Sequence, residues 1–345
     1  MLIREPVSIG TRVAHPSLRT RSVGCFFELL SVQAKSLNLE ERLDGLRHEM
    51  IRSSVIRPVT ALCNYSQLLL GTREGILTNT KDIVYRHQTR HVGVTKLMAC
   101  EALIAIAFYD GCIDLLDPKT FARLRNLSLP NEFATDLIFI GPEAYKILAI
   151  SGSWGGLYLY DIPRETFIYT LDPIDQLEHQ RTTLALWDRT GSLYQASNGI
   201  VSLFDLRSSS SPIKTYSWPN DKATCITIAM KDELVVGLGS SALSIISSKT
   251  GRERLALLHP DPPFQLAMVS SYLISGSRRR LCYLDMKVGE HNPTRIIPLD
   301  HPLASFAPGL NNTLTIGLRT GHCILLGGTG AGDDEKMRAG INATI

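Results

Sequence analysis

The sequence lacks the features that mark several large classes of protein. Its seven cysteines are scattered, no two form a CxxC pair, and the count is odd, which argues against a disulfide framework and a structural zinc site. No apolar run approaches the roughly 20 residues that cross a bilayer, and no secretory leader is recognisable. The sequence therefore predicts an intracellular protein, cytoplasmic or nuclear, that does not enter a membrane.

Positive charge is only in small excess over negative charge. The 36 basic and 33 acidic residues leave a formal net charge of +3, which is too small to indicate nucleic-acid binding alone. One stretch is more biased, because Arg4, Arg12, Arg19 and Arg21 stand among serines with Glu5 as the near acidic residue. This composition fits a solvated basic arm, which we favour, or a mitochondrial transit peptide. A mitochondrial location therefore stays open beside the cytoplasm and nucleus.

Reactive-site motifs are also missing. No GxSxG motif occurs, and the glycine-rich runs at 151–155 and 237–240 fall at predicted strand ends and turns, not in a strand–turn–helix context. The run at 328–332 lacks the Lys-Ser/Thr ending of a phosphate loop. We therefore predict no catalytic residue and no cofactor.

What the sequence does contain is a repeat. A run that ends in a small residue, a polar turn, and alternating apolar residues closed by Asp recurs at Asp117, Asp161, Asp205 and Asp285. Three weaker copies end at Lys81, Ser247 and Gly327. The ends are separated by 36, 44, 44, 42, 38 and 42 residues, which is the spacing of one β-propeller blade.

The repeat also aligns in columns. The residues four before each end are all apolar, and positions two apart on a strand share a face; they are Leu77, Ile113, Leu157, Val201, Leu243, Leu281 and Cys323. The strand before each turn ends in a small residue suited to a crowded inner position: Gly71, Ala107, Ser151, Ala196, Gly237, Ser275 or Gly317. Turns such as Asp110-Gly111 are strong hairpin signals. Each copy therefore supplies two adjacent antiparallel strands.

Flanking runs complete each blade. Val94–Ala99, Thr135–Ile140 and Ala223–Ile228 are predicted inner strands, and Phe167–Leu171 and Arg254–Leu258 are predicted outer strands. Four strands per roughly 40 residues form a propeller blade. The fold class is therefore all-β, a seven-bladed β-propeller with a short N-terminal helical extension.

These segments resemble the WD40-repeat proteins. Residues 198–207 are similar to the family's turn–strand–WD segment, with Phe204 in place of the Trp, and the likeness covers roughly residues 57–327. No blade has a true Trp-Asp ending, and the Gly-His entry to a blade is represented by Arg90-His91. The resemblance implies a divergent propeller in which His91 and Asp110 are the retained members of the family's buried His–Asp network.

The two ends are predicted to differ from the ring. We assign 1–49 to a basic arm and an amphipathic helix, 50–327 to the propeller, and 328–345 to a flexible tail. Nothing after Leu326 reads as a strand, so the N-terminal region must supply the outer strand of the last blade and protect its edge. Met50–Ile56 is the first choice for this strand, and Val23–Leu30 is the alternative.

The helix of the extension is predicted from its capping and periodicity. Asn38 to Glu41 has the spacing of a capping box, and Leu39, Leu43, Leu46 and Met50 follow at helical intervals. We favour packing of this helix against the propeller over contact with a partner.

The candidates for a metal site are two histidines and the recurring aspartates of the repeat. His87 and His91 have metal-ligand spacing only in a helix, whereas the repeat places them between blades without an evident third ligand, so no metal site is predicted. The recurring aspartates are explained by one turn position per blade. Their convergence in the central channel around a hard cation stays as an alternative.

The surface carries the stronger signal. Arg278, Arg279 and Arg280 lie in the predicted hairpin turn of the sixth blade, and Arg73 and Arg319 lie in equivalent turns. Together with the basic arm they are predicted to form a rim patch for an acidic peptide or phosphate backbones, or else to be ordinary solvated turns. Trp154, in the matching turn of the third blade, is expected to be exposed as a binding residue.

The function predicted from these features is a non-catalytic interaction scaffold. The chain is expected to act as a monomeric propeller within a multiprotein assembly and to bind a peptide or subunit on one propeller face. A ribonucleoprotein or chromatin-associated subunit that contacts nucleic acid through the arginine-rich turns is the first alternative. A propeller hydrolase with a channel metal is the second.

Overall fold

The computed structural model describes the greater part of the chain. The described residues are 50–51, 58–64, 68–79, 82–89, 91–140, 146–171, 182–187, 192–197, 199–205, 211–218, 221–229, 233–247, 250–286, 295–309, 314–328 and 341–344. All belong to a compact unit that runs from Arg47 to Ile345. The predicted helix and the alternative closing strand Val23–Leu30 therefore lie outside the described residues.

The described residues form strands joined by turns. The first fifteen, in chain order, are β1 (Met50–Ile51), β2 (Val59–Asn64), β3 (Leu68–Thr72), β4 (Ile76–Thr78), β5 (Ile83–Arg86), β6 (Val94–Ala99), β7 (Ile104–Phe108), β8 (Cys112–Leu116), β9 (Arg123–Ser128), β10 (Ala134–Ile140), β11 (Ile147–Gly152), β12 (Leu157–Asp161), β13 (Thr166–Leu171), β14 (Thr183–Trp187) and β15 (Ser192–Ser197). The others are β16 (Ile200–Asp205), β17 (Lys214–Tyr216), β18 (Ala223–Ala229), β19 (Glu233–Leu238), β20 (Ala242–Ser247), β21 (Glu253–Leu258), β22 (Gln265–Val269), β23 (Tyr272–Gly276), β24 (Arg280–Asp285), β25 (Arg295–Pro298), β26 (Leu303–Pro308), β27 (Leu314–Leu318), β28 (Cys323–Gly328) and β29 (Ile341–Thr344).

These strands build seven antiparallel sheets in a ring. Blades 1 to 6 each contain four consecutive strands, from β2–β5 to β22–β25, and blade 7 is built on β26, β27 and β28. The inner strands β2, β6, β10, β14, β18, β22 and β26 each contact the next, and β26 contacts β2. The all-β, seven-bladed propeller predicted from the sequence is therefore confirmed. Within the described ranges, no helix is long and apolar enough to span a membrane.

The apolar column of the repeat packs between the blades. All seven of its residues, which lie on the third strands, are at most 1% exposed: Leu77, Ile113, Leu157, Val201, Leu243, Leu281 and Cys323. The small residues on the second strands admit the inner strand of the next blade, since a Cβ on Gly71 would lie 2.6 Å from Val94 Cγ1 and one on Gly317 would lie 2.8 Å from Leu62 Cδ1. The small residue therefore sets the blade-to-blade distance.

A bulge recurs at the start of the inner strands. In five blades the register shifts after the first paired residue, and the extra residue in four of them is Thr60, Thr95, Thr135 or Thr224. The Thr60, Thr135 and Thr224 hydroxyls donate to carbonyls on the second strand at 3.2, 3.3 and 3.0 Å. A bulge re-aims the side chains near it. Thr60, Thr95 and Thr135 thereby line the cavity described below.

Two segments complete blade 7, one that precedes the blade repeats in the chain and one that follows them. The outer edge of β28 pairs with β1 at Cys323 and Ile324 and with β29 from Leu325 to Gly328. The predicted closing strand is confirmed for Met50–Ile51, while 52–56 lies outside the described residues. The expectation of no strand after Leu326 is wrong. Ile341–Thr344 was missed because edge pairing uses the backbone, and its side chains carry little pattern in four residues.

No disulfide joins the six described cysteines. Burial raises the pKa of Cys63 to about 11 and that of Cys282 and of Cys323 to about 12. Thiols with such pKa values remain protonated at neutral pH and pack as small apolar side chains.

Candidate partner-binding cavity

One face of the propeller carries all the turns that the sequence singled out. The hairpin turns between second and third strands meet the connections between blades there, and we call it the turn face. Backbone bonds hold the two together: Tyr109 N–H donates to Gly93 O at 3.0 Å, Ser153 N–H to Phe133 O at 2.9 Å, and Arg319 N–H to Pro302 O at 2.9 Å. The turn face is therefore a rigid surface.

A cavity of about 950 Å³ opens on the turn face. Blades 7, 1, 2 and 3 supply its lining: Ala304 and Arg319; Pro58, Val59, Thr60 and Arg73; His91, Val92, Gly93, Thr95, Tyr109 and Asp110; Phe133 and Thr135. A concave site of this volume with a mixed apolar and polar lining has the usual character of a binding pocket.

Two of the predicted site residues meet in this cavity. Arg73 and Arg319 come from the turns of blades 1 and 7, both are exposed, and both line the cavity. Their backbones are fixed, since Arg73 N–H donates to Pro58 O at 3.1 Å and Arg319 N–H donates to Pro302 O. Two guanidinium groups on rigid turns can bind carboxylate or phosphate oxygens in bidentate fashion.

An aromatic pair also lines the cavity. Tyr109 is 56% exposed, and its ring lies 4.9 Å from that of Phe133 at an angle of 60°. An exposed tyrosine on a rigid turn is a frequent anchor in protein interfaces because it buries a large area at low entropic cost. Sequence reasoning missed Tyr109, although its place in the Asp110-Gly111 turn marked it as exposed.

The His–Asp network in blade 2 differs from the expected one. His87, not His91, lies against Asp110, with Nε2 at 2.9 Å from a carboxylate oxygen, and its ring stacks on Phe108 at 3.9 Å. His91 is exposed, has φ 67°, and lines the cavity. The assignment of His91 is therefore wrong, because His87 directly follows the outer strand β5 and its N–H donates to Gly75 O.

Asp114 is the buried centre of this network. It is fully buried on β8 and accepts hydrogen bonds from Tyr85 Oη at 2.7 Å and Asn126 Nδ2 at 2.8 Å. His87 Nδ1 lies 3.2 Å from it, and Arg123 Nη1 lies 3.8 Å away. Burial, and then the bond to Asp114, raises the pKa of Tyr85. These donors compensate the buried carboxylate, as a stable site requires.

The other predicted arginines lie on the turn face but do not line the cavity. Arg278 and Arg279 are exposed, and their carbonyls accept N–H bonds from Leu303 and Leu299 at 2.8 Å. Arg280 is half-buried, with Nε 3.5 Å from an Asp261 carboxylate oxygen. The turn of blade 6 therefore presents two exposed arginines, and the third lies beside Asp261.

Trp154 is half-buried, not exposed as expected. Its backbone N–H donates to a Glu132 carboxylate oxygen at 2.8 Å, and Tyr158 Oη donates to the other oxygen. Glu132 is itself buried. The turn of blade 3 is therefore tied down by a buried carboxylate, and Trp154 does not line the cavity.

The recurring aspartates do not converge in the central channel. Asp117, Asp161, Asp205 and Asp285 end or follow third strands, at the face opposite the turn face; Asp117, for example, accepts the Lys119 and Thr120 N–H bonds at 2.8 Å. On the described inner strands the single carboxylate is Asp136.

The oxygens of Asp136 are already engaged. Lys96 Nζ lies 2.8 Å from one oxygen, and Leu184 N–H donates to the other at 2.7 Å. Among the described inner strands, no set of carboxylates is therefore arranged around a channel cation.

Comparisons with known proteins show the fold alone. No family model matches the chain, and no curated protein matches it by sequence. Among solved structures, one described as the structure of U3-55K is similar with a TM-score of 0.60 at 13% identity, over 72% of this chain and 80% of that chain. The chain therefore shares a β-propeller fold with that structure.

Proposed function

We propose that this chain is a divergent WD40-repeat propeller that acts as a non-catalytic scaffold subunit of an intracellular assembly. It binds an acidic segment of a protein partner in the cavity on the turn face. The observation that carries this proposal is the convergence of Arg73, Arg319 and the Tyr109–Phe133 pair in one cavity of about 950 Å³.

The lining determines the chemistry of the partner. Arg73 and Arg319 favour a carboxylate or phosphorylated side chain, and Tyr109 and Phe133 favour an apolar or aromatic side chain beside it. The blades hold all four residues on rigid turns, so binding orders few groups and loses little entropy. The segment we expect is therefore short, acidic and interrupted by an apolar residue.

The test is affinity purification of the tagged chain from its own cells, with and without nuclease. The double variant Arg73→Glu and Arg319→Glu is compared with Lys119→Glu and Arg252→Glu, which makes the same charge change on exposed residues at the opposite face. We expect the first variant to recover about tenfold less of a stoichiometric partner, equal to about 1.4 kcal/mol, and the second to recover it as the wild type does. Equal recovery by both variants refutes the cavity as the binding site.

A second function is favoured by the distribution of cations. Arg278, Arg279, Arg319 and Arg73 are exposed on the turn faces of the adjacent blades 6, 7 and 1. A ribonucleoprotein or chromatin-associated subunit would use such a stripe to contact phosphates. Its affinity for an RNA or DNA oligonucleotide would fall steeply with salt, by a slope of about −0.7 to −0.9 per phosphate contact.

Variants separate the two functions. Arg278→Glu with Arg279→Glu lowers oligonucleotide affinity in the second function and leaves the partner of the cavity bound in the first. No measurable oligonucleotide binding at low salt eliminates the second function, and loss of all partners on nuclease treatment eliminates the first.

A further inference from the structure

A histidine, a carboxylate and a thiol meet beside the cavity. A ring nitrogen of His87, a carboxylate oxygen of Asp110 and Cys112 Sγ all lie within 4.8 Å of one another. Asp110 and Cys112 flank Gly111, whose φ of 86° makes the tight turn between β7 and β8. His87 reaches the same point from the end of β5. We propose that these three residues bind a zinc ion, with water as the fourth ligand.

The ligand set fits zinc. Imidazole nitrogen, carboxylate oxygen and thiolate sulfur are its three common protein ligands, and sites with three protein ligands take water in the fourth position. Asp110 is exposed and lines the cavity, so water and the ion have a path to the site. The ion would also be electrically balanced, since one carboxylate and one thiolate neutralise Zn²⁺.

The surroundings orient the histidine as a metal ligand. Asp114 lies 3.2 Å from His87 Nδ1, which leaves Nε2 to face Asp110. A buried carboxylate behind a histidine is the usual second layer of a zinc site, where it fixes the tautomer and the ring orientation. The stacked Phe108 ring restrains the imidazole further. Arg123 balances Asp114, so the added ion does not have to.

Cys112 distinguishes this proposal from a plain His–Asp hydrogen bond. A hydrogen bond between His87 and Asp110 does not involve the sulfur atom of Cys112, whereas the proposed zinc site requires it as a ligand. The test therefore begins with metal-stripped protein that is titrated with Co²⁺ as a spectroscopic substitute. We expect one equivalent to bind and to give a sulfur-to-cobalt charge-transfer band.

Matched variants complete the test. Cys112→Ser should abolish the charge-transfer band and lower Zn²⁺ affinity by about 100-fold. Loss of a residue that only orients a metal ligand lowers metal affinity by about 10- to 100-fold, and loss of a ligand should reach the upper end of that range. Cys100→Ser, which changes a buried cysteine of the same blade, should change neither. Circular dichroism establishes that both variants fold. A charge-transfer band that survives Cys112→Ser, or absence of any band in the wild type, overturns the proposal.

A second measurement does not depend on a variant. Bound zinc should slow alkylation of Cys112 by iodoacetamide at least about tenfold, because a metal-bound thiolate is not free to attack. An unchanged rate at saturating zinc overturns the proposal. Failure here is separable from failure of the proposed function, since Arg73→Glu with Arg319→Glu should retain the zinc.

Discussion

Replacement of Asp114 tests whether the buried polar network holds blades 1 and 2 together. Tyr85 and His87 belong to blade 1 and its connection, whereas Asp114 and Asn126 belong to blade 2. Each hydrogen bond to a charged group contributes about 1.5–3 kcal/mol, and removing one partner from a buried charged set costs about 3–5 kcal/mol. We expect Asp114→Ala to lower the free energy of unfolding by about 4 kcal/mol, because the buried His87 and the partly buried bonds from Tyr85 and Asn126 all lose their acceptor.

Asp114→Asn should cost about half as much, since its oxygen still accepts from Tyr85 and His87 while the negative charge is lost. The assay is urea unfolding followed by tryptophan fluorescence and by far-ultraviolet circular dichroism. Asp117→Ala is the control, because this aspartate follows the same strand but caps a solvent-facing turn. If Asp114→Ala costs less than about 1 kcal/mol, or no more than the control, the network does not bear the stability assigned to it.

Three further results are expected. Burial lowers the pKa of His259, so as the pH decreases below the ordinary value of 6.5 the unfolded chain binds more protons than the folded chain, and the free energy of unfolding decreases. His259→Gln should therefore make the free energy of unfolding, measured by urea titration, less dependent on pH between pH 7 and 5. An unchanged slope contradicts the assignment. Deletion of 341–345 removes the four β29 pairs and should cost about 2–4 kcal/mol at about 1 kcal/mol per backbone bond, with increased aggregation from the freed edge; identical denaturation midpoints would show that β29 does not contribute. Cys282 and Cys323, whose pKa values burial raises to about 12, should react with Ellman's reagent at pH 8 only after denaturant is added, and reaction in the native state would contradict their burial.

The blades could be predicted because each repeat carries its own pattern. Every predicted small residue, such as Gly71 or Gly317, is the next-to-last residue of a second strand. The inner strand Val94–Ala99 was predicted to the residue. Periodicity of two and a Gly-containing turn are local signals, so the strands of one blade can be predicted without the position of the next blade.

The cavity could be predicted only in part. The exposed turns of Arg73 and Arg319 were visible in the sequence, but their meeting depends on the ring that places blade 7 beside blade 1. The exchange of His87 for His91 depends on the path of a connection, where His91 has a left-handed backbone. Trp154 was misjudged because its turn is held by Glu132 from another part of the chain. Each failure concerns a contact between segments that sequence patterns treat separately.

The closure of blade 7 has a consequence for the order of folding during synthesis. Chain growth at about 5–20 residues per second lets domains form from the N-terminal side as they emerge. The segment β1 is made first, yet its partner β28 is made only after six complete blades, and β29 follows later still. Until blade 7 closes, β1 and the outer edge of β28 therefore stay unpaired, and unpaired strand edges are templates for wrong pairing. The cellular yield of the protein should depend on how long these edges stay unpaired during synthesis, and on chaperones that cover them.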